Sequence, residues 1–175
     1  MNHLMLDIET MSTDNNALVV SISAVQFDMT TGEIGAEFEI GLDQKQQLEK
    51  GAEMDIETVN WWSKQDKEAI EALSRIVPRD VDEALKQFND FIKLNFKPIS
   101  KIKLWGNGAT FDNVIVRNLY KRHSIDFVIP YYADMDVRTL CYLKKINPRS
   151  FEFKGIKHNG IDDCKHQINY CTQGI

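Results

Sequence analysis

The sequence predicts one α/β domain over residues 1–175, with a central mixed β-sheet flanked by helices. Three observations support this fold class. Apolar and β-branched runs of strand length fill the first 42 residues, helical periodicity begins near residue 55, and strand and helix patterns then alternate toward the C-terminus. The chain is 43% hydrophobic, which suffices to fill one core, and no Pro/Gly-rich linker divides it.

Three strands are expected in the N-terminal quarter of the chain. Residues 3–8 form a short apolar run, and residues 18–27 (LVVSISAVQF) are β-branched and nearly free of charge, as in a buried strand. After a turn signal at 30–32, residues 33–42 alternate apolar and polar side chains, which is typical of a half-exposed strand. The turn between them predicts that the second and third strands form a hairpin.

Helices are expected to follow the hairpin. Apolar residues recur at helical spacing after residue 55 and again after residue 78, and the charged run 64–71 is typical of a solvated helix face. Trp61 and Trp62 are expected to face opposite directions. The remaining elements are predicted as strand 102–105, a helix ending near residue 123, strand 127–132, helix 137–145, loop 147–157 and a last helix from about residue 160.

Composition and charge exclude several classes of protein. The apolar stretches are far shorter than the roughly 20 residues that span a bilayer, so a soluble protein without membrane contact is expected. The net charge of −5 argues against a protein that holds nucleic acid on a broad basic surface. Cys141, Cys164 and Cys171 are odd in number and form no CxxC pair, which indicates a reducing compartment and predicts a cytoplasmic location.

Two carboxylates on the first predicted strand form the first candidate site. Asp7 and Glu9 are two residues apart, so both project from the same face of the strand. Repulsion between such carboxylates raises a pKa or recruits a hard cation such as Mg²⁺. The alternative is a solvated strand end, since a D-x-E pattern is common in a chain with 26 acidic residues.

Two later motifs carry further candidate residues. Asp112 ends the segment WGNGATFD, in which two glycines let the backbone approach a ligand closely, and helix capping is the alternative role for this aspartate. His158 lies five residues before Asp163, so an imidazole on a loop and a carboxylate in a first helical turn can address one site. Such a histidine can accept a proton near neutral pH, and a surface histidine before a capped helix is the alternative.

Taken together, the three motifs resemble those of the DEDDh branch of the DnaQ-like 3′–5′ exonucleases. That family has D-x-E on the first strand, N-x-x-x-F-D after a later strand and H-x4-D on the final helix. The prophage exonuclease VIII-like and RNase AS-like subgroup is similar also in the pattern T-x-x-W-W-x-x-Q at 58–65 and in V-R-T at 137–139. The resemblance implies a ribonuclease H-like fold. Gly160 departs from the family pattern, which often has alanine, and little effect is expected from that difference.

The resemblance also implies a two-metal hydrolysis of phosphodiester bonds, with Mg²⁺ or Mn²⁺ as the ions. Asp7, Glu9 and Asp163 would ligate one ion, and Asp7 with a water held by Asp112 would ligate the second. His158 would be the general base. The residues expected to contact substrate are Thr10, Met11, Trp61, Asn107, Phe111 and Arg138.

The expected substrate is single-stranded nucleic acid with a free 3′ end, from which nucleoside 5′-monophosphates are released. DNA is favoured, and RNA or short oligonucleotides are the alternative, because no residue settles which sugar is recognised. An inactive nucleic-acid-binding module is the alternative outside enzymes, although the acidic residues and the histidine are all present. Small members of the subgroup are often dimers, so a homodimer is considered.

Two other metal sites are set aside. Cys164, His166 and Cys171 lie close to His158 in sequence, but their spacing does not fit the paired pattern of zinc ligands, and the two cysteines are expected to pack on one helix face. Asp134 and Asp136 belong to none of the motifs of the resemblance, so they are not expected to bind metal.

Overall fold

A computed structural model describes residues 1–173 and shows a six-stranded mixed sheet with helices on both faces. The strands are β1 (His3–Thr10), β2 (Val19–Phe27), β3 (Ile34–Leu42), β4 (Pro78–Arg79), β5 (Lys103–Gly106) and β6 (Asp134–Asp136). The helices are α1 (Gln44–Glu49), α2 (Ile56–Trp62), α3 (Lys67–Arg75), α4 (Val81–Asn95), α5 (Asp112–Arg122), α6 (Val137–Lys144) and α7 (Gly160–Thr172). The predicted α/β fold class with a mixed sheet is confirmed.

The order of strands across the sheet is β4-β3-β2-β1-β5-β6. The β1–β2 and β2–β3 pairs are antiparallel, and β1–β5, β5–β6 and β3–β4 are parallel. Every residue of β2 is buried, because this strand lies between β1 and β3. This position explains why its side chains are apolar or small except for Gln26, which donates a hydrogen bond to the Asn95 carbonyl (3.0 Å).

Alternation along β1 decides which face of the sheet carries the candidate carboxylates. Leu4, Leu6 and Ile8 pack into the core shared with α4 and α5. Met5 points to the other face and joins the core shared with α6 and α7. Since side chains two residues apart share a face, Asp7 and Glu9 follow Met5 and are directed toward α7.

The strand predicted at 127–132 is wrong, and the last strand is β6 instead. Pro130 lacks a backbone N–H and cannot donate to a neighbouring strand. The backbone groups beside it form hydrogen bonds with side chains instead. The Val128 N–H donates to Asn89 Oδ1 (3.2 Å), and Arg117 donates to the carbonyl of Ile129 (3.0 Å). The apolar side chains of this segment therefore fill the core from a loop. Helix α1 was not predicted, because it has only six residues and no apolar repeat.

Helix α7 begins at Gly160, as predicted, and Asn159 caps it by accepting a hydrogen bond from the Asp162 N–H (3.2 Å). Cys164 and Cys171 are buried against the sheet on one face of the helix, which confirms the packing expected for them. Within residues 1–173, no helix is long and apolar enough to cross a membrane.

Candidate active site

Asp7 and Glu9 lie at the C-terminal end of β1, where Asp7 is half-buried and Glu9 is buried with 8% of its surface exposed. A side chain from α7 contacts the first of them, since Gln167 Nε2 donates a hydrogen bond to Asp7 Oδ1 (3.1 Å). Gln167 donates one hydrogen bond to these two carboxylates, which leaves most of their oxygen lone pairs available to another ligand. The pair is therefore not a solvated strand end.

Asp112 is the first residue of α5 and is 4% exposed. Gly106, at the end of β5, leaves room for the Asp112 side chain, because a Cβ at position 106 would stand only 3.1 Å from the Cβ of Asp112. Gly108 adopts a φ of +113°, and Arg138 packs against it. The close approach predicted for these glycines is thus made to side chains of the protein itself.

The side chains of His158 and Asp163 lie close to that of Glu9. One ligand atom from each of these three residues lies within 4.8 Å of the others. His158 has a φ of +63°, which turns the chain immediately before the cap of α7, and its backbone N–H bonds the Asp163 carboxylate. The imidazole is thereby held beside the carboxylates by the backbone geometry of one short turn.

Burial raises the pKa of every carboxylate in this group, and repulsion by the other acids adds to it for Asp7 and Glu9. Burial is the largest cause for Asp7, whose pKa rises well above its usual range, and the charges of the other three add to it. Burial raises the pKa of Glu9 to about 9, that of Asp112 to about 7 and that of Asp163 to about 6. Four acids that resist ionisation in one place are a site that a cation would stabilise.

The pKa of His158 is shifted in the opposite direction. Partial burial lowers it below 6.5, the nearby charge of Lys157 adds to the effect, and Asp66 opposes it. The ring lies edge-on to Trp61 and Trp62, with centroids 5.0 and 5.8 Å away. His158 is therefore neutral at pH 7 and able to accept a proton.

A cavity of about 750 Å³ opens beside the carboxylates. Glu9 and Thr10 line it from β1, Trp61 and Trp62 from α2, and Phe111 from the start of α5. Its lining includes Asp14, Asp55 and Glu57 but no lysine or arginine. The cavity thus combines aromatic surface with acidic groups at the mouth of the carboxylate cluster.

The two tryptophans do not face opposite directions, as the sequence analysis expected. Their ring centroids are 5.1 Å apart, and both rings contact His158. Consecutive helical residues are separated by only about 100°, so both can reach one side. The Trp62 Nε1–H donates to the Thr10 carbonyl (3.0 Å) and fixes the buried ring, while Trp61 remains 45% exposed.

The structure brings three of the six expected substrate contacts to the cavity, namely Thr10, Trp61 and Phe111. Met11 instead packs against the small core of Leu18 and its neighbours. Asn107 and Arg138 do not line the cavity and lie near Asp112 instead. The backbone N–H of Asn107 donates a hydrogen bond to that carboxylate, and the charge of Arg138 lowers its pKa.

The residues set aside as metal ligands have other partners. Asp134 forms an ion pair with Arg117 (2.7 Å), and Asp136 caps α6 while accepting a hydrogen bond from the Ala109 N–H (2.7 Å). Cys164 lies in the core with its sulfur 3.6 Å from the carbonyl oxygen of Met5. Among the described residues, Glu9, His158 and Asp163 bring ligand atoms close enough together to hold a metal ion. The carboxylates of Asp7 and Asp112 are near enough to act on the charge of the same group.

Two supporting residues were missed by the sequence analysis. Asp162 accepts a hydrogen bond from the Ile156 N–H (2.8 Å), and its carboxyl lies against Gly155, whose φ is +109°. It therefore fastens the loop that carries His158. Gln167, the donor to Asp7, follows Asp163 by one helical turn. Both residues lie on α7, and the pattern D-D-x3-Q at 162–167 is the sequence feature from which they could have been predicted.

Gly160 allows α7 to approach β2 closely, which corrects the expectation that its identity matters little. A Cβ at this position would stand 2.6 Å from the Cβ of Ser23 and would also overlap its hydroxyl. Such a distance is too short for two carbons, so helix or strand would have to shift. The start of α7, and with it Asp163, is therefore placed by this contact.

We expect Gly160→Ala to lower the Tm by about 2–10 °C, because overpacking costs ~1–3 kcal/mol and each kcal/mol shifts a domain of this size by ~2–4 °C. Nuclease activity should fall as well. Ser23→Gly removes the overlapping atoms, so adding Gly160→Ala to that variant should cause a smaller loss of Tm than adding it to the wild type. Equal losses in both backgrounds, measured by thermal denaturation, would exclude the contact as the cause.

Comparison with known proteins places this geometry in a family. A family model described as the 3′–5′ exoribonuclease Rv2179c-like domain matches residues 2–175. No curated protein sequence matches the chain. The fold is similar to the nuclease domain of 3′hExo, a DEDDh family member bound to rAMP, with a TM-score of 0.67 and 14% identity over 98% of this chain and 90% of that one.

The fold is also similar to Escherichia coli ExoI in the zinc-bound form of its complex with single-stranded DNA. The TM-score is 0.68 and the identity 14%, over 97% of this chain and 39% of that one. Exonucleases of the DEDDh type use divalent metal ions, and the ribonuclease H-like fold implied by the motifs is confirmed. Because the family model spans nearly all of the sequence, the chain belongs to the Rv2179c-like 3′–5′ exoribonuclease domain family and is a hydrolase, a 3′–5′ exonuclease of the DEDDh type.

Proposed function

We propose that this enzyme removes nucleoside 5′-monophosphates from the 3′ end of single-stranded nucleic acid in a reaction that requires Mg²⁺ or Mn²⁺. The observation that carries the proposal is the convergence of buried and half-buried carboxylates from β1, α5 and α7 beside a neutral histidine. That group lies at the mouth of an aromatic cavity of a size for one nucleoside.

The donor set fits hard divalent cations. Asp7, Glu9, Asp112 and Asp163 supply carboxylate oxygens, which Mg²⁺ and Mn²⁺ prefer, and no cysteine lies among them. Their raised pKa values show how poorly the fold tolerates the four charges unneutralised. When bound, two divalent ions would supply Lewis acidity that activates water and stabilises the departing 3′ oxygen. Without such ions the cluster would repel a phosphodiester, so strict metal dependence is proposed.

His158 is proposed as the general base. Its ring is neutral at pH 7, and one of its nitrogens lies within 4.8 Å of carboxylate oxygens of Glu9 and Asp163. The tryptophans on one side and the α7 cap on the other restrict its orientation. The imidazole can therefore take the proton of an attacking water, and activity should fall as the pH drops through its pKa.

The aromatic cavity is proposed to hold the terminal nucleoside. Exposed Trp61 presents an apolar ring for stacking, and Phe111 and Thr10 complete the wall nearest to Glu9. A nucleoside carries no charge of its own, which suits a lining that lacks cations. The phosphate that joins it to the next nucleotide would then lie at the carboxylate cluster.

The family description favours RNA over DNA as the polymer. From the sequence alone DNA is the favoured substrate, but the family model that matches the chain is that of an exoribonuclease domain. We therefore propose RNA as the preferred substrate and keep single-stranded DNA as the second candidate. Among similar structures, one is described with histone mRNA stem-loop recognition and another with a dT13 oligonucleotide.

End-labelled single-stranded RNA, single-stranded DNA and duplex of one sequence, incubated with Mg²⁺ or Mn²⁺, test the proposal. We expect stepwise shortening from the 3′ end, release of 5′-monophosphates, faster digestion of RNA and complete inhibition by a chelator. Faster digestion of DNA would show that single-stranded DNA, and not RNA, is the preferred substrate. Digestion that persists in chelator would contradict the metal-dependent mechanism.

Replacing His158 with Ala is expected to lower kcat by about 10²–10⁴-fold, the usual contribution of a general base. Binding of Mn²⁺ should change little, because the four carboxylates remain. Rapid-quench kinetics and calorimetric Mn²⁺ titration of the same protein separate the two effects. A variant with wild-type kcat would remove His158 from the mechanism.

A further inference from the structure

The connection between α6 and α7 concentrates positive charge in an acidic protein. Residues 144–157 contain a single carboxylate, Glu152, and five cationic residues, Lys144, Lys145, Arg149, Lys154 and Lys157. The rest of the chain holds 16 Lys and Arg against 25 Asp and Glu. The net charge of −5, which argued against a broad basic surface, therefore conceals one local basic segment.

All five cationic side chains are exposed. Some cations elsewhere in the described residues form ion pairs, as Lys165 does with Glu37 (2.9 Å) and Arg117 with Asp134. Within residues 1–173, none of the five forms an ion pair. Their charges are thus available to an external anion.

The basic segment is packed on α7. Phe151 lies against Tyr170 with ring centroids 6.1 Å apart, and Phe153 lies against His166 at 4.7 Å. Glu152 and Lys154, which alternate with these phenylalanines, point to solvent. The hydrogen bond from the Ile156 N–H to Asp162 fixes the end of the segment next to the active site.

The segment leads directly into the catalytic histidine. Lys157 immediately precedes His158, and its charge reaches both His158 and Asp163. The aromatic cavity, in contrast, is lined by none of residues 144–157 and by no other cation. A strand whose terminal nucleoside fills that cavity must place its remaining phosphates outside the cavity.

We propose that residues 144–157 form a cationic track that binds the backbone phosphates of the substrate strand on the 5′ side of the scissile bond. The inference rests on the proposed function, since it assumes that the strand ends in the aromatic cavity. Binding to the track does not depend on the base sequence of the strand, because lysine and arginine contact the phosphates and not the bases. The track therefore strengthens binding of long strands, whereas a dinucleotide is too short to reach it.

Matched charge variants test the track. One variant combines Lys144→Gln, Arg149→Gln and Lys154→Gln, and the control combines Lys86→Gln, Lys97→Gln and Lys101→Gln, three exposed lysines on α4 and the chain that follows it, on the other side of the sheet. Both sets lower the net charge by three. Fluorescence anisotropy in Ca²⁺ measures binding of a 5′-labelled oligonucleotide of about 12 nucleotides, a length within the range of single-strand sites.

The track variant should bind the oligonucleotide roughly 10- to 100-fold more weakly than the control at 0.1 M salt. The slope of log K against log[salt] should become shallower by about 2, since each phosphate contact contributes ~0.7 for single strands. Hydrolysis of a dinucleotide should be equal in both variants, which also shows that the track variant is folded.

Similar affinities and slopes for the two variants would overturn the track. Equal losses of dinucleotide and oligonucleotide hydrolysis in the track variant would also overturn it, because that pattern reflects a disturbed active site. A wild-type protein that binds but never shortens the oligonucleotide would contradict the proposed nuclease function, while the anisotropy difference would still decide the track. The two failures are therefore distinguishable.

Discussion

Replacing Asp7 with Asn is expected to lower nuclease activity by about 10³-fold or more, equivalent to ~4 kcal/mol of lost transition-state stabilisation. The same change should raise the Tm of the metal-free protein. Asp7 is half-buried beside three other carboxylates, and burial is the largest cause of its raised pKa. Asparagine keeps the shape of the side chain and removes a group whose ionisation costs free energy at this place when no metal ion is bound. The variant should therefore fold more stably and bind metal more weakly.

Paired thermal denaturation and activity assays check both parts of this prediction. Asp90→Asn serves as the control, because the Asp90 side chain is 76% exposed on the surface of α4. The control should change neither property. A variant at Asp7 that is inactive and also less stable in chelator would show that the residue acts in folding and not in metal binding.

The second large effect concerns pH and metal removal. In chelator, the Tm of the wild type should fall by about 5 °C between pH 7 and pH 8.5. Burial raises the pKa of Glu9 to about 9, so in this range the folded state retains a proton that the unfolded state has released. Each pH unit then costs the folded state up to about 1.4 kcal/mol, or ~3–6 °C for a domain of this size.

Saturating Mn²⁺ should remove this pH dependence, because the bound ion displaces the proton from Glu9. Glu9→Gln should flatten the curve in chelator as well, since the glutamine does not titrate. Differential scanning fluorimetry over the pH series makes the comparison. A wild-type Tm in chelator that rises between pH 7 and pH 8.5 would contradict the assignment of a raised pKa to Glu9.

Much of the candidate site could be predicted from the sequence because its signals are local. The D-x-E spacing places Asp7 and Glu9 on one face of a strand, and the cap at Asn159 fixes where α7 begins. These short-range features position the catalytic groups within their own elements. Their convergence was inferred from the family resemblance.

Features that depend on contacts between distant segments could not be predicted. Strand β6 has three residues and exists through its parallel pairing with β5, while the more apolar segment before it forms a loop. The approach of Gly160 to Ser23 joins positions 137 residues apart in sequence. The contact between both tryptophans and His158 likewise depends on how α2 docks beside β1.

Anomalous scattering from crystals grown with Mn²⁺ tests the central claim most directly. The account predicts peaks beside Asp7, at the oxygen-ligand distances of about 2.0–2.6 Å that such hard cations adopt, with Glu9 and Asp163 among the ligands. Manganese bound only elsewhere, or a carboxylate cluster that stays empty at saturating Mn²⁺ and pH 8, would contradict it.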